Sequence, residues 1–444
     1  MSNVRSKEKS PLVFKERLQW LLFLVPFFFL VYGTANQLTA FNNFVPSIVF
    51  EWEKLIPFIP KMIVPYMSAG LLFIFSFLLV KTRNEIQRHA LRLGFAIVFS
   101  AVIFLLFPLH FSLEKPPVEG WTKIIFAGLA ADLPYNQLPS LHVSLAMVVG
   151  YLYYTYFKGF FRWFFVVWFV LIAVSTLFVF QHHFIDLPAG VLVGFFTFYM
   201  IPISGKSRLP LNFVSFKHLY VALHYLLLSI VFTGLAFRLH SIVLLSLLSA
   251  WVAFSMLIIA TLYVLGYNKI TQKKNNGQIK LVYWLILWPY LLSNKILWKI
   301  WKYKDPPMVK VVNSIWLGRS LEECDEKQTR QNDIKTIIDL SPEICGYSPS
   351  GVIRHYQPLL DLSVPDPELI KEITEIISQA KEYGNVLILC KFGLSRSMIV
   401  SCAFLMTQGS SREQAWVTVS KARTVRMNKP YVHIALKLFE SELN

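Results

Sequence analysis

Two groups of residues carry chemistry. The first lies in the string Val386–Val400, VLILCKFGLSRSMIV, where five residues, Gly393 and Ser395 among them, separate Cys390 from Arg396. An apolar run ending at Cys390 and a new helix starting near Arg396 make a strand-loop-helix unit. The backbone N–H groups of the loop Lys391, Phe392, Gly393, Leu394 and Ser395, together with the helix N-terminus, converge on an anion. The same field favours the thiolate of Cys390, which attacks phosphorus. Arg396 grips two phosphate oxygens as a fork, Gly393 permits the tight loop, and the Ser397 hydroxyl stabilises the departing thiolate.

The second group is a pair of histidine strings, LPSLHVS around His142 and VSTLFVFQHHFIDLPAG with His182, His183 and Asp186. Histidine and aspartate inside apolar sequence are expensive and usually functional. The chemistry suits phosphoryl transfer: His182 attacks phosphorus, Asp186 four residues on sets its tautomer, and His142 protonates the leaving alcohol. The four-residue spacing to Asp186 selects His182 over His183 as the nucleophile.

Both groups need elements to hold them. Of 444 residues, 55% are hydrophobic and only 16% charged, against about 25% charged in an ordinary soluble protein. The deficit lies before residue 300. Eight runs approach the roughly 17–25 residues that a span needs: Leu18–Thr34, Ile63–Val80, Leu93–Leu109, Leu141–Phe157, Trp163–Phe180, Leu187–Ile203, Leu219–Phe237 and Ile242–Leu265. The expected fold class is therefore a multi-pass α-helical membrane domain of about eight spans followed by a soluble α/β domain. The expected divisions are a basic N-terminus (1–17), a membrane domain (18–265), a basic linker (266–307) and a catalytic tail (308–444).

The net charge of +17 sits in short loops. Arg5, Lys7, Lys9, Lys15 and Arg17 precede the first run; Lys81, Arg83, Arg88 and Arg92 follow the second. Lys158 and Arg162 follow the fourth, and Lys206, Arg208 and Lys217 the sixth. Every second loop is basic, which predicts that the N-terminus and the tail are cytoplasmic in a cell membrane and that both histidine strings face outward. Charge spread in this way argues for acidic lipid contact and against nucleic acid. The linker from Gly266 to Lys304 has eight Lys and no acidic residue. Its apolar stretch Leu281–Leu292 is half a span, and with Lys295–Lys302 it predicts a surface-lying amphipathic segment.

In the tail, Val309–Leu317 and Ile334–Leu340 read as strands. Pro365–Tyr383 reads as an amphipathic helix with Ile370, Ile373, Ile376, Ile377 and Ala380 on one face and Gly384 at its end, and a further helix is expected near Ser411. Cys324, Cys345, Cys390 and Cys402 all lie in the tail, without zinc spacing, as in a reducing compartment. Neither chemistry requires a metal or organic cofactor.

The Cys390–Arg396 string resembles the dual-specificity phosphatases of the protein tyrosine phosphatase superfamily, over about Met308–Asn444. That resemblance implies a general acid on a preceding loop. The match is Asp361 in LLDLSVPDPELI, with Asp366 as the alternative or as a helix cap. It also implies a His before the Cys, where this chain has Leu389. Lys391 resembles the lysine of the superfamily's phosphoinositide and phosphatidylglycerophosphate phosphatases, which implies an acidic lipid substrate; a phosphoprotein remains the other class. The histidine strings resemble the type 2 phosphatidic acid phosphatase superfamily over roughly 60–205, nearest its inositol phosphorylceramide and sphingomyelin synthase branch. Two motifs depart from the phosphatase branch: Lys115–Pro116 stands alone where Lys-x6-Arg-Pro is expected, and Ser175–Thr176 replaces Ser-Arg. The membrane site then either handles a phosphodiester, as a headgroup transferase does, or is a weakened phosphatase or simple anchor.

Overall fold

A computed structural model describes residues 14–129, 132–274, 276–302, 306–423 and 428–443. The basic residues Arg5, Lys7 and Lys9 and the expected boundary residues Lys304 and Asp305 lie outside these. The chain divides into two compact units, Met1–Leu211 and Asn212–Asn444.

The first unit is helical: α1 (Phe14–Ala40), α2 (Ile63–Leu79), α3 (Arg83–Leu106), the short α4 (Thr122–Ala127), α5 (Leu141–Tyr156), α6 (Gly159–Phe178) and α7 (Asp186–Met200). Each expected apolar run becomes a helix, though not each has by itself the length expected of a span. Among the described residues six helices are long and apolar enough to cross a membrane: α1, α2 (from Pro60), α3, α6 and, in the second unit, α8 (Phe216–Arg238) and α9 (Val243–Val264). Six is fewer than the expected eight, which is not confirmed: α5 and α7 have only 16 and 15 residues, about 24 Å at 1.5 Å per residue. Ser140 stops α5 early by accepting the Val143 N–H at its N-terminus.

α5 and α7 pack closely through glycine. A Cβ on Gly190 would lie 2.5 Å from the Ser140 carbonyl oxygen, and the Ser144 hydroxyl donates to the Gly190 carbonyl at 3.0 Å. At the far end of α7, Arg92 donates to the carbonyls of Ile201 (2.9 Å) and Pro202 (2.7 Å), and Arg88 to those of Pro202 (2.9 Å) and Gly205 (2.8 Å). Basic residues thus gather at the opposite end of α7 from Asp186.

In the second unit, α8 and α9 form an apolar hairpin and α10 (Leu281–Trp301) follows. The half-span expected at Leu281–Leu292 is instead part of one 21-residue helix, with non-helical angles at Leu287, ahead of Pro289. Proline lacks the N–H that would continue the ladder, so the helix kinks there rather than ending. Tyr290, Leu291, Asn294 and Trp298 are its buried face. Between α9 and α10 the chain turns back on itself at Lys273 and Ile279. Lys273 ion-pairs with the buried Asp339 at 2.7 Å, beside Arg354, also at 2.7 Å.

The tail is a five-stranded sheet in the order β1-β2-β5-β3-β4: β1 (Met308–Val312), β2 (Ile315–Arg319), β3 (Ile334–Asp339), β4 (Ile353–Tyr356) and β5 (Asn385–Cys390). Only β1 and β2 pair antiparallel. The single strand expected at Val309–Leu317 is this hairpin, because the chain reverses at Asn313 and Ser314, the latter with φ of 64°. Strand β4 was not anticipated, being short and half-buried. Alternation along β5 sends Val386, Ile388 and Cys390 to one face and Leu387 and Leu389 to the other. The first face is covered by α12 (Pro367–Ala380), α13 (Arg396–Thr407), α14 (Arg412–Ala422) and α15 (Pro430–Leu443), which follow the short α11 (Glu326–Gln331). The expected face of α12 is buried at Ile370, Ile373, Ile377 and Ala380, with Ile376 partly so, and Gly384 ends it at φ 139°.

Candidate functional sites

Cys390 ends the buried central strand β5, and α13 begins at Arg396. The loop between them turns at Gly393 (φ 71°), where a Cβ would lie 2.7 Å from the Gly318 backbone. Side chain and backbone angle both exclude anything larger there. The Phe392 carbonyl accepts from Arg423 at 3.1 Å, and Leu394 and Ser395 are buried. Leu389, standing where a histidine was implied, packs with Ile337 and Leu387; apolar contact replaces hydrogen bonding on that side of the loop.

The Cys390 Sγ lies 3.3 Å from the Ser397 hydroxyl. Burial pushes the thiol up, but the Arg396 charge and the Ser397 hydrogen bond overcome it, so the thiol titrates below its ordinary value. Arg396 is fixed by a fork onto Glu343, 2.5 and 3.0 Å from its two carboxylate oxygens, and donates to the Leu359 carbonyl at 3.1 Å. Asp361 lies 3.4 Å from Arg396 and 3.6 Å from Lys391. Burial acts upward on its carboxyl, while these two cations hold it below the usual range. The alternative, Asp366, caps α12, accepting from the Glu368 N–H at 3.2 Å. Lys391 is not solvated: its ammonium donates to Asn294 of α10 at 2.7 Å.

The second set lies in the first unit. The Ser140 N–H donates to the Asp186 carbonyl at 2.9 Å, which ties the start of α5 to the start of α7. His142 therefore stands near enough to His182 to feel its charge; its ring stacks on Tyr66 at 4.2 Å. His182 donates through Nδ1 to Asp186 at 3.2 Å, and among the described residues Nε2 has no hydrogen-bond partner. His183 differs. Its Nδ1 donates to Glu53 at 3.1 Å and its Nε2 accepts from the Ser112 N–H at 3.2 Å, so both ring nitrogens are used. Ser175 and Thr176 are buried and bond to carbonyls one turn back.

Several residues were missed. Glu343 and Asn294 carry no spacing signal, since each comes from an element distant in sequence. Glu53 is an acidic residue in a short turn between apolar runs. Asp132, hydrogen-bonded to Asn36 at 2.9 Å and to Tyr32 at 3.3 Å, acts electrostatically with His182 and Lys115. An acidic residue just ahead of the first histidine string was the available signal.

Comparison with known proteins places these geometries. The family model described as dual specificity phosphatase, catalytic domain, matches residues 315–441. Dual specificity phosphatase 28 of Homo sapiens is 30% identical over 141 residues, 31% of this chain and 80% of that protein. This chain belongs to the dual-specificity phosphatase family. The dual specificity protein phosphatase Mpk3 of Drosophila melanogaster is 29% identical over 150 residues, 32% of this chain but only 36% of that protein. The crystal structure of human DUSP28 is 28% identical, covering 31% of this chain and 95% of that one, with a TM-score of 0.28. A second family model, the PAP2 superfamily, matches residues 17–200. The chain is thus a membrane protein and a phosphoric monoester hydrolase, with a dual-specificity phosphatase domain at its C-terminus and a PAP2 domain at its N-terminus.

Proposed function

We propose that both domains transfer phosphoryl groups, at separate sites on opposite faces of a cell membrane. At the Cys390 site the thiolate attacks phosphorus and the ester oxygen leaves with the proton of Asp361, giving a phosphocysteine. Water, deprotonated by Asp361, then displaces the thiolate, which Ser397 stabilises. Arg396 and the backbone N–H groups of residues 391–395 hold the phosphate oxygens throughout. The observation that carries this reading is the placement of Cys390 beside Ser397 and Arg396 at the head of α13, with the thiol lowered by both. Acidic lipids and phosphoproteins are the substrate classes in view. Residues 308–444 form the catalytic tail, on the cytoplasmic side.

At the membrane site His182 is the nucleophile, Asp186 its orienting partner and His142 the acid and later the base. The basic residues at the opposite end of α7 from Asp186 support an outward-facing site. A headgroup-transferase reading of this site is favoured by one observation: Thr176 fills, buried, the position where the resemblance implies a phosphate-gripping arginine. A phosphodiester carries less charge than a monoester and needs less positive charge to hold it.

Paired variants of the full chain in membranes test both assignments. Cys390→Ser should abolish hydrolysis of a soluble aryl phosphate. His182→Ala should abolish phosphate release or headgroup exchange on outer-leaflet lipid. Persistence of either activity in its variant sinks the corresponding assignment.

A further inference from the structure

The Cys390 site is roofed by helices of its own unit. Three polar contacts join roof to site. The Tyr263 hydroxyl, at the end of α9, donates to the Asp361 carbonyl at 3.0 Å. Just beyond α9, Asn268 accepts the Leu360 N–H at 3.0 Å. From α10, Asn294 accepts from the Lys391 ammonium at 2.7 Å. Behind these contacts the Tyr225 ring of α8 meets Tyr263 at 5.8 Å and Tyr290 at 5.9 Å. Tyr263, Tyr290, Cys390 and Arg396 are each 2% exposed or less, whereas the Asp361 side chain is 21% exposed. Among these groups Asp361 is the one that solvent reaches, and it lies at the end of an apolar hairpin. The hairpin's outer surface presents Leu227, Val231, Leu244 and Leu247, side chains suited to lipid.

This geometry sets what can reach the thiolate. A phosphorylated side chain on a folded protein must bring its backbone close, and α10 and the α8–α9 hairpin occupy that approach. A phosphate on a membrane lipid arrives from the helix ends, its chains remaining beside the hairpin. We infer that the Cys390 site takes a membrane-resident lipid phosphomonoester, and that Tyr263 and Asn294 are specificity-determining residues that admit it while excluding phosphoprotein. The inference rests on the reading of Cys390 as the nucleophile.

The test uses the full chain carrying His182→Ala, which silences the membrane site, reconstituted in phosphatidylcholine vesicles. Rates are compared for phosphatidic acid and a phosphatidylinositol monophosphate within the vesicles, a phosphotyrosine peptide, and a soluble aryl phosphate. At least one lipid should exceed the peptide in kcat/KM by about tenfold or more. Tyr263→Ala and Asn294→Ala should each reduce that ratio, lowering lipid and raising peptide turnover. Peptide turnover equal to or above that of both lipids overturns the inference, and the ratio in the otherwise unaltered chain decides it even where a roof variant fails to fold. Failure of the underlying reading looks different: aryl phosphate hydrolysis would then survive Cys390→Ser.

Discussion

Arg396 shows how much a single side chain depends on partners far away in sequence. Guanidinium at the base of an anion site must be aimed before the anion arrives, and Glu343 does this by matching its fork geometry. Cys390 depends on the same arginine, since burial alone would keep its thiol protonated. Ser397 is the second support, and its contribution is separable. Ser397→Ala should move the thiol pKa upward, so that alkylation of Cys390 by iodoacetate reaches half its maximal rate at a higher pH than in the parent protein. An unchanged midpoint would leave the lowering to Arg396 and the Ser397 backbone N–H, with no part for the hydroxyl. At the proposed membrane site the same logic separates two adjacent histidines: His183 spends both nitrogens on Glu53 and Ser112, while His182 keeps one without a partner among the described residues.

Elements position these side chains through close backbone approach. α5 and α7 each carry part of the membrane site at their first residues, and Gly190 is what lets them meet. A Cβ there would lie 2.5 Å from the Ser140 oxygen and 2.9 Å from the Val143 Cβ. Gly190→Ala should therefore destabilise the first unit by about 1–3 kcal/mol, the usual range for overpacking. The expected readout is a lower Tm in detergent and loss of His182-dependent activity, with Cys390-dependent hydrolysis of an aryl phosphate unchanged. If His182-dependent activity stays intact, this packing is not what holds His142 to His182. Helix α10 illustrates the opposite case, in which one proline kinks an element without ending it and its buried face reaches Asn294 to Lys391.

For the whole molecule the open question is sidedness. Six described helices are long and apolar enough to span; the expected eight, with α5 and α7 also crossing, would return the chain to the side on which it started. The basic loops argue that this side is cytoplasmic. A reporter fused after Asn444 should signal only from the cytoplasm; an external signal would invert the orientation of both sites. Much of this protein was legible in its sequence. Apolar runs located all six helices long and apolar enough to span, though not the full length of α10, because burial in lipid demands unbroken stretches that composition records directly. Local spacing located Cys390, Ser397 and Arg396, and likewise His182 and Asp186, because a strand-loop-helix turn or one helical turn fixes neighbours a few residues apart. What spacing does not encode is contact between distant segments. Glu343 beneath Arg396, Asn294 on Lys391, Tyr263 on the loop of Asp361 and Glu53 on His183 were decided by tertiary structure alone. The residues proposed to perform the chemistry could be read along the chain, while those that aim and enclose them emerged only from folding, since packing brings together side chains that no periodicity relates.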